Sequence, residues 1–339
     1  MTPVVTPLDP ADDLGLQQAL DIATEVTAAD IPDFPPPSAR AFAGMLRHPW
    51  PGGHKHFALA HLGDTPVGFL ELSLPYLDNR ELAEMRLEVR PGYRRRGAGR
   101  ALLAYAERLA RADGRKHLVG TAVAALPGGP PRDDAGNAFA AARGATVGLV
   151  DVRRRLDVDA VDRAALDKLL DAAWPRAAGY SLVAWQDHAP EEYVADAAYL
   201  DGRLLADAPV GDLALEGQNI DATRYRQQEA ASAARGRHSY VTAARHDASG
   251  RLVAVTAIDV TTGIDWHAYQ QITLVDPDHR GHRLGTVVKV ANLQAVLAAQ
   301  PEIKAIDTWN AAVNSHMIGI NEEMGFRPRD QWNNWQLSL

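Results

Sequence analysis

Apolar positions recur at helical spacing over residues 16–27, where Leu16, Leu20, Ala23 and Val26 share one side, and prolines at 35–37 close that segment. Two runs of strand character follow at 57–62 and 67–74, around the turn Gly63-Asp64-Thr65-Pro66. A third apolar run, 85–89, leads into a loop and then a helix over 99–112, with Leu102, Leu103, Ala106, Leu109 and Ala110 on its apolar side. The pattern then predicts a strand at 117–124, a Gly/Pro loop at 127–134, a short helix at 138–143 and a strand at 146–156. A polar connecting helix over 157–171 separates this half from the next. Beyond it the pattern predicts a strand at 180–185, helices at 191–205 and 221–234, and a turn-rich stretch between them. Strands at 238–245, 252–260 and 269–275 precede a helix at 285–299. A strand at 303–308, a helix at 314–324 and a strand at 332–337 close the chain. The boundary falls near 157, giving domains 1–157 and 158–339.

The two halves share more than an order of elements. Residues 87–103 return in altered form at 273–288: Val89 aligns with Val275, Pro91 with Pro277, Arg94 with Arg280 and Gly99 with Gly285, without a gap. Each copy is an apolar strand, a proline, an Arg/Gly-rich loop and the start of a helix. The first turn of a helix carries N–H groups with no internal partner and the positive end of the dipole. Glycine removes the Cβ that would hold an anion away from those groups, and arginine adds charge. The first loop therefore offers Leu87, Val89, Arg94, Arg95, Arg96, Gly97, Ala98, Gly99 and Arg100 to a phosphate or pyrophosphate. The second offers Thr273, Val275, Arg280, Gly281, His282, Arg283, Leu284, Gly285 and Thr286. Neither loop has the spacing of a dinucleotide fingerprint or of a lysine-bearing P-loop.

Arg94-x-x-Gly97-x-Gly99 resembles the acyl-CoA loop of the GNAT superfamily of N-acetyltransferases. The stretch from Asn314 to Gly325-Phe326 is similar to the late motif of the same family, in which Asn begins a helix and Gly-Phe follows it. The resemblance covers most of the chain and implies an α/β (α+β) protein of two tandem GNAT-like domains. Each would be a mixed, mostly antiparallel sheet flanked by helices, with one strand splayed to admit acyl-CoA. Among tandem members the chain resembles the two-domain type typified by mycothiol synthase, whose C-terminal domain does the chemistry. The resemblance assigns the acyl carbonyl to the backbone N–H of Val275, with Val89 as counterpart, and puts Asn314 among the acyl-CoA contacts. The family often has a tyrosine near the sulfur as a general acid. Here that position is Asn321 in the second half and Ala140 in the first, and an amide is no proton donor of useful acidity. The second loop also departs from the pattern, with Arg283 where the first has Gly97.

Composition narrows the partners. A net charge of −8 argues against sequence-independent nucleic-acid binding, which needs a basic face. No apolar stretch has the ~18 residues that span a bilayer. The first ten residues have neither a basic start nor a long apolar run, so a cytoplasmic protein is expected. With no cysteine, disulfides, a thiolate nucleophile and Cys-bearing zinc sites are excluded. His54, His56 and His61 lack metal-site spacing, and no metal is expected. From the Ala- and Arg-rich, Lys-poor usage a GC-rich bacterial source is expected.

These observations point to acyl transfer from acetyl-CoA to a primary amine of a small molecule, by direct attack on the thioester. His267 and Tyr269 on the strand entering the second loop are candidates to face the amine, with Asn321 at the position of the family tyrosine; Glu88 is the candidate in the first half. His267 also has a plain reading as an exposed strand-end residue. Arg153, Arg154 and Arg155 are expected to alternate across an edge strand. A non-catalytic acyl-CoA sensor or scaffold with two degenerate sites is the alternative. Protein-lysine acetylation is a third reading. A monomer or homodimer is expected.

Overall fold

The computed structural model, which describes residues 1–339, opens with a short strand, β1 (Val4–Pro7), and two helices, α1 (Asp13–Asp30) and α2 (Ala39–Arg47). Asp12 caps α1 by accepting the Leu14 N–H at 3.1 Å, and Ser38 caps α2 by accepting that of Ala41 at 3.3 Å. Neither β1 nor α2 stands out in the apolar pattern. Next come β2 (Gly53–Leu62), β3 (Thr65–Pro75), β4 (Leu82–Val89), α3 (Ala98–Ala112), β5 (His117–Ala125), α4 (Ala135–Ala142) and β6 (Thr146–Asp157). The polar connecting helix, α5 (Arg163–Ala173), is capped by Asp162. Then follow β7 (Tyr180–Gln186), α6 (Val194–Gly202) and α7 (Leu204–Asp207), the last two being one helix in the sequence pattern. The chain ends with α8 (Ala222–Ala234), β8 (Arg237–His246), β9 (Leu252–Thr261), β10 (Ile264–Val275), α9 (Leu284–Ala299), β11 (Ala305–Ala311), α10 (Ser315–Glu323) and β12 (Arg327–Ser338).

These elements form two units. Unit 1 comprises Met1–Val152, Val210–Glu216 and Arg329–Leu339; unit 2 comprises Arg153–Pro209 and Gly217–Pro328. The division falls inside β6, and the last strand of the chain is counted with the first unit. In unit 1 the strand order is β1-β2-β3-β4-β5-β12, antiparallel except for the parallel pair β4–β5. β12 runs antiparallel to β5 from Asp330↔Ala125 to Ser338↔His117. In unit 2 the order is β11-β10-β9-β8-β7, with only β10–β11 parallel. Each unit is thus a mixed α/β layer with a mostly antiparallel sheet. No helix is long and apolar enough to cross a membrane.

Period-two alternation sorts the core onto both faces of each sheet. In unit 1, Leu70, Leu72 and Ala58 meet Leu102, Leu103 and Ala106 of α3. On the other face Phe57, Leu59 and Phe69 meet Leu16, Ile22 and Phe42 of α1 and α2. In unit 2, Ile258, Ala268 and Ile306 pack on Val290, Leu293 and Val296 of α9, while Val255, Ala257 and Leu274 face Leu200 of α6. Each such large side chain, fully buried, contributes about 1.5–3 kcal/mol.

Candidate functional site

In each unit a parallel strand pair holds for a few residues and then parts. β4 pairs with β5 from Leu82↔His117 to Met85↔Gly120, and β10 with β11 from His267↔Ala305 to Tyr269↔Asp307. Beyond those points β4 stays laddered to β3 as far as Gly68↔Val89, and β10 to β9 as far as Val275↔Ala254. The Arg90 N–H donates to the Val67 carbonyl at 2.9 Å and the Asp276 N–H to that of Val253 at 2.8 Å. Alternation then turns the N–H groups of Leu87, Val89, Thr273 and Val275 away from the ladder, toward the gap that the parting strand leaves. β10 differs from β4 close to the loop. Its register slips by one residue between Gln270 and Thr273, whereas β4 is unbroken from Val89 to Glu84. Such a bulge leaves one residue outside the ladder.

The loops after these strands share a backbone. Each starts with a proline-led turn, Pro91–Tyr93 or Pro277–His279. Arg94 Nε donates to the Val89 carbonyl at 3.2 Å and Arg280 Nε to that of Val275 at 3.3 Å, so each arginine ties its loop to the strand end. Two residues per loop are left-handed: Arg95 (φ 64°) and Gly97 (φ 95°) in the first, Gly281 (φ 87°) and Arg283 (φ 56°) in the second. Gly97 and Arg283 precede α3 and α9, and neither helix has a side-chain cap. Their first-turn N–H groups are left for water or an anion. A Cβ at Gly99 would lie 3.4 Å from Phe139, and one at Gly285 would lie 3.6 Å from Ile320, so these glycines bring α4 and α10 close to the helix starts.

The charges are disposed otherwise than the sequence suggests. Arg94 pairs with Asp30 and Asp133, each at 2.7 Å, and Arg280 with Asp207 at 3.1 Å. Both guanidiniums are braces within the protein. Arg95, Arg96 and Arg100 are exposed at the first loop, Arg96 lying 5.2 Å from the Tyr93 ring centroid. In the second, Arg283 is half exposed, 4.0 Å from Glu323, and His282 Nδ1 lies 3.1 Å from the Arg176 carbonyl. Ala98, Leu284 and Thr286 are buried, so only their backbones face the loop side. Asn314 accepts the Met317 N–H at 3.3 Å as the cap of α10.

Between β4 and β5, unit 1 contains a cleft of about 100 Å³ lined by Met85, Leu87, Leu103, Leu118, Phe139, Ala140 and Trp335 among others. Sheet register and the loop alignment give the matching positions in unit 2. Gln270 stands for Met85, Thr273 for Leu87, Lys289 for Leu103 and Asn321 for Ala140. An apolar lining has become polar. Gln270 Nε2 donates to the Ala257 carbonyl at 2.8 Å, the Thr273 and Thr256 hydroxyls are 2.7 Å apart, and Asn321 Nδ2 donates to Asn310 Oδ1 at 2.7 Å.

This geometry has known counterparts. Residues 21–126 match the model of the acetyltransferase (GNAT) family. A tandem GNAT protein from the clavulanic acid biosynthesis pathway, solved without acetyl-CoA, superposes with a TM-score of 0.84 at 36% identity, covering 99% of this chain and 98% of that one. The chain belongs to the GNAT acetyltransferase family. A GNAT protein from Sphaerobacter thermophilus (TM-score 0.63, 12% identity, 99% and 95% covered) shares the fold. So does a putative acetyltransferase from Pyrococcus horikoshii (0.59, 15%, 100% and 90%). No curated protein matches the chain in sequence. The tandem likeness therefore rests on the clavulanic acid pathway protein and not on mycothiol synthase.

The GNAT scaffold brings some candidate side chains to unexpected places. His267 is fully buried, with Nε2 2.8 Å from Asp307 Oδ2. A carboxylate only accepts, so the imidazole donates there. Burial pushes His267 below the ordinary histidine range, outweighing the Asp307 bond. It is neither an exposed strand-end residue nor a base open to a substrate. Asp307 also takes Arg153 at 2.8 Å and Arg155 at 2.7 Å. Burial alone would raise this carboxyl, but the bonds from Arg155 and His267 and the Arg153 charge hold it low. Arg153, Arg154 and Arg155 are all buried, so β6 is an interior strand there and not an edge. Tyr269 is half-buried, stacked 6.2 Å from Trp309, and burial pushes it up to about 12. Glu88 is half-buried, with one oxygen held by Arg86 at 2.8 Å and the other, Oε2, unbonded. Asn321 is fully buried. The sequence analysis missed Gln270, Lys289 and Asp307; an ionisable residue inside an apolar helical stripe was the available sign at Lys289.

Proposed function

We propose that this acyltransferase moves an acetyl group from acetyl-CoA to a primary amine of a small molecule by direct attack on the thioester. The observation that supports it most is in unit 1. An uncapped helix start with three exposed arginines sits at one end of an apolar cleft, between strands that have parted. The α3 N–H groups and Arg95, Arg96 and Arg100 would hold the phosphates. Met85, Leu87, Leu103 and Phe139 would flank the pantetheine arm. Acetyl-CoA supplies the activated acyl carbonyl. The N–H groups of Leu87 and Val89 would polarise that carbonyl. Glu88, through its unbonded oxygen, would accept the proton of the incoming ammonium. The acceptor and the acetyl identity of the donor are parts of this proposal; membership of the acetyltransferase family supports the second.

A second reading is favoured by Ala140, which leaves unit 1 without a proton donor at the family position. In that reading unit 1 binds acyl-CoA without turning it over. Calorimetric titration with acetyl-CoA, followed by CoA release against a panel of amines, tests both. Binding with amine-dependent release supports transfer. Binding with no release for any amine supports the sensor, and no binding overturns both.

A further inference from the structure

Lys289 lies on α9 in the middle of unit 2, 1% exposed. Its ammonium has no hydrogen-bond or ion-pair partner; its one charge contact is the Phe326 ring, 5.8 Å away. A buried cation without a counter-ion is costly, and an uncharged leucine serves at the matching position, Leu103. Three observations align the lysine with the lining of the unit 1 cleft. Leu103 lines the unit 1 cleft together with Ala140 and Ala145, and the counterparts of those two are Asn321 and Phe326. Gly285, one helical turn before Lys289, lies 3.6 Å by its built Cβ from Ile320, the neighbour of Asn321. Two further buried atoms of the same lining, Gln270 Oε1 and Asn321 Oδ1, have no donor. At positions that match the unit 1 cleft, two buried carbonyl oxygens without a donor and an ammonium without a partner are groups that a ligand with amide N–H and C=O groups, such as the arm of acyl-CoA, would satisfy.

We propose that Lys289 is the proton donor to the departing thiolate in unit 2, in place of the tyrosine that Asn321 replaces. This rests on the acyl-transfer reading above, extended to the second unit. The acceptor nitrogen bonds to the acyl carbon as the carbon–sulfur bond breaks, and the electron pair leaves on sulfur. The thiolate takes a proton from the Lys289 ammonium. The acylated nitrogen loses its extra proton to solvent, and solvent recharges the lysine. Burial, the sole cause, pushes the amine down to about 7, which suits an acid working near neutral pH. Its one close neighbour of that kind, the Phe326 ring, is uncharged and no nearby charge contributes to that lowering, so its titration is its own.

The test uses the full chain with the first site disabled by Gly97→Glu, in Lys289→Met and Lys289 forms. The first readout needs no acceptor: the thiol of bound CoA is titrated by the ultraviolet absorbance of its thiolate. A lysine beside the sulfur lowers that thiol by about one unit or more relative to Lys289→Met. The second is the pH dependence of kcat with the best amine. Lys289→Met is expected to reduce kcat about 100-fold or more and to abolish the alkaline fall, while Kd for acetyl-CoA stays within about threefold. Equal thiol titrations in the two proteins overturn the proposal, as does turnover with an unchanged profile. A lowered thiol without turnover for any amine supports the lysine's placement and overturns acyl transfer instead. Since methionine removes a buried charge and keeps the length, Lys289→Met is expected to fold; Lys289→Arg, which keeps the charge but cannot give up its proton, should lower the thiol and still fail in kcat.

Discussion

The two units share a frame and differ in what they place inside it. Both use a parted parallel strand pair, a proline-led turn, an arginine braced to the strand-end carbonyl and an uncapped helix start. Within the loops the left-handed positions are occupied in opposite order, Arg95 then Gly97 against Gly281 then Arg283. The glycine gives open backbone at the helix start in unit 1. In unit 2 a side chain stands there, and the left-handed strain of a non-glycine residue, about 1–2 kcal/mol, is accepted to keep it. The cleft follows the same logic. Unit 1 has leucine, methionine and alanine where unit 2 has lysine, glutamine and asparagine. A duplicated scaffold thus carries apolar side chains at these positions in one unit and polar ones in the other.

The comparison can be broken in several places. The largest effect is expected at Asp307, whose loss would remove an acceptor that the buried Arg153, Arg155 and His267 share. Asp307→Ala should cost about 3–5 kcal/mol, read by chemical denaturation as early unfolding of unit 2. A smaller loss would show that water reaches this cluster. Next is Gly97→Glu, which adds both a strained left-handed side chain and a like charge at the phosphate position. Acetyl-CoA affinity at the first site should fall about 100-fold by calorimetry, with Gly285→Glu doing the same at the second. A folded double variant with undiminished binding would refute the loop assignment.

Lys289 sets a third difference. Its folded value, about 7, lies below the ordinary 10.5. Between those values the unfolded chain binds a proton that the folded chain does not, so stability rises with pH across that window. The slope is at most about 1.4 kcal/mol per pH unit, and the gain is lost as pH falls toward 7. Lys289→Met should flatten the urea midpoint over that range; an unchanged slope would mean the amine is already solvated. The smallest effect is Arg283→Gly. Relief of the left-handed strain less the added chain entropy should stabilise unit 2 by about 0.5 kcal/mol, seen as a small rise in Tm.

Most of the frame is legible along the chain. The strand–loop–helix copy at 87–103 and 273–288 locates both splayed strands, because each strand runs directly into a loop of similar Arg/Gly pattern. The GNAT resemblance and the mixed α/β architecture follow from it. The short β1 is not legible, since four residues cannot display alternation. Nor is α2, although Ser38 behind the prolines is a capping signal that could have found it. Polar side chains are harder still. Arg94 and Arg280 have the composition of phosphate ligands, yet Asp30, Asp133 and Asp207, remote in sequence, turn them into braces. His267 looked like a base by its type and strand position, and Asp307 draws it inside.

By itself, then, the sequence determined what local chemistry can determine: element order, the repeat, the two helix-start loops, and the absence of a tyrosine at Ala140 and Asn321. Tertiary structure alone decided which charges are free and which are paired, because pairing depends on strands and helices far apart in the chain. It counted β12 with β5 and divided β6 between the units. It also buried Lys289, one polar residue in an apolar helix, against the Phe326 ring. Burial is a property of the packed molecule, and burial is what pushes the Lys289 amine below the ordinary lysine range.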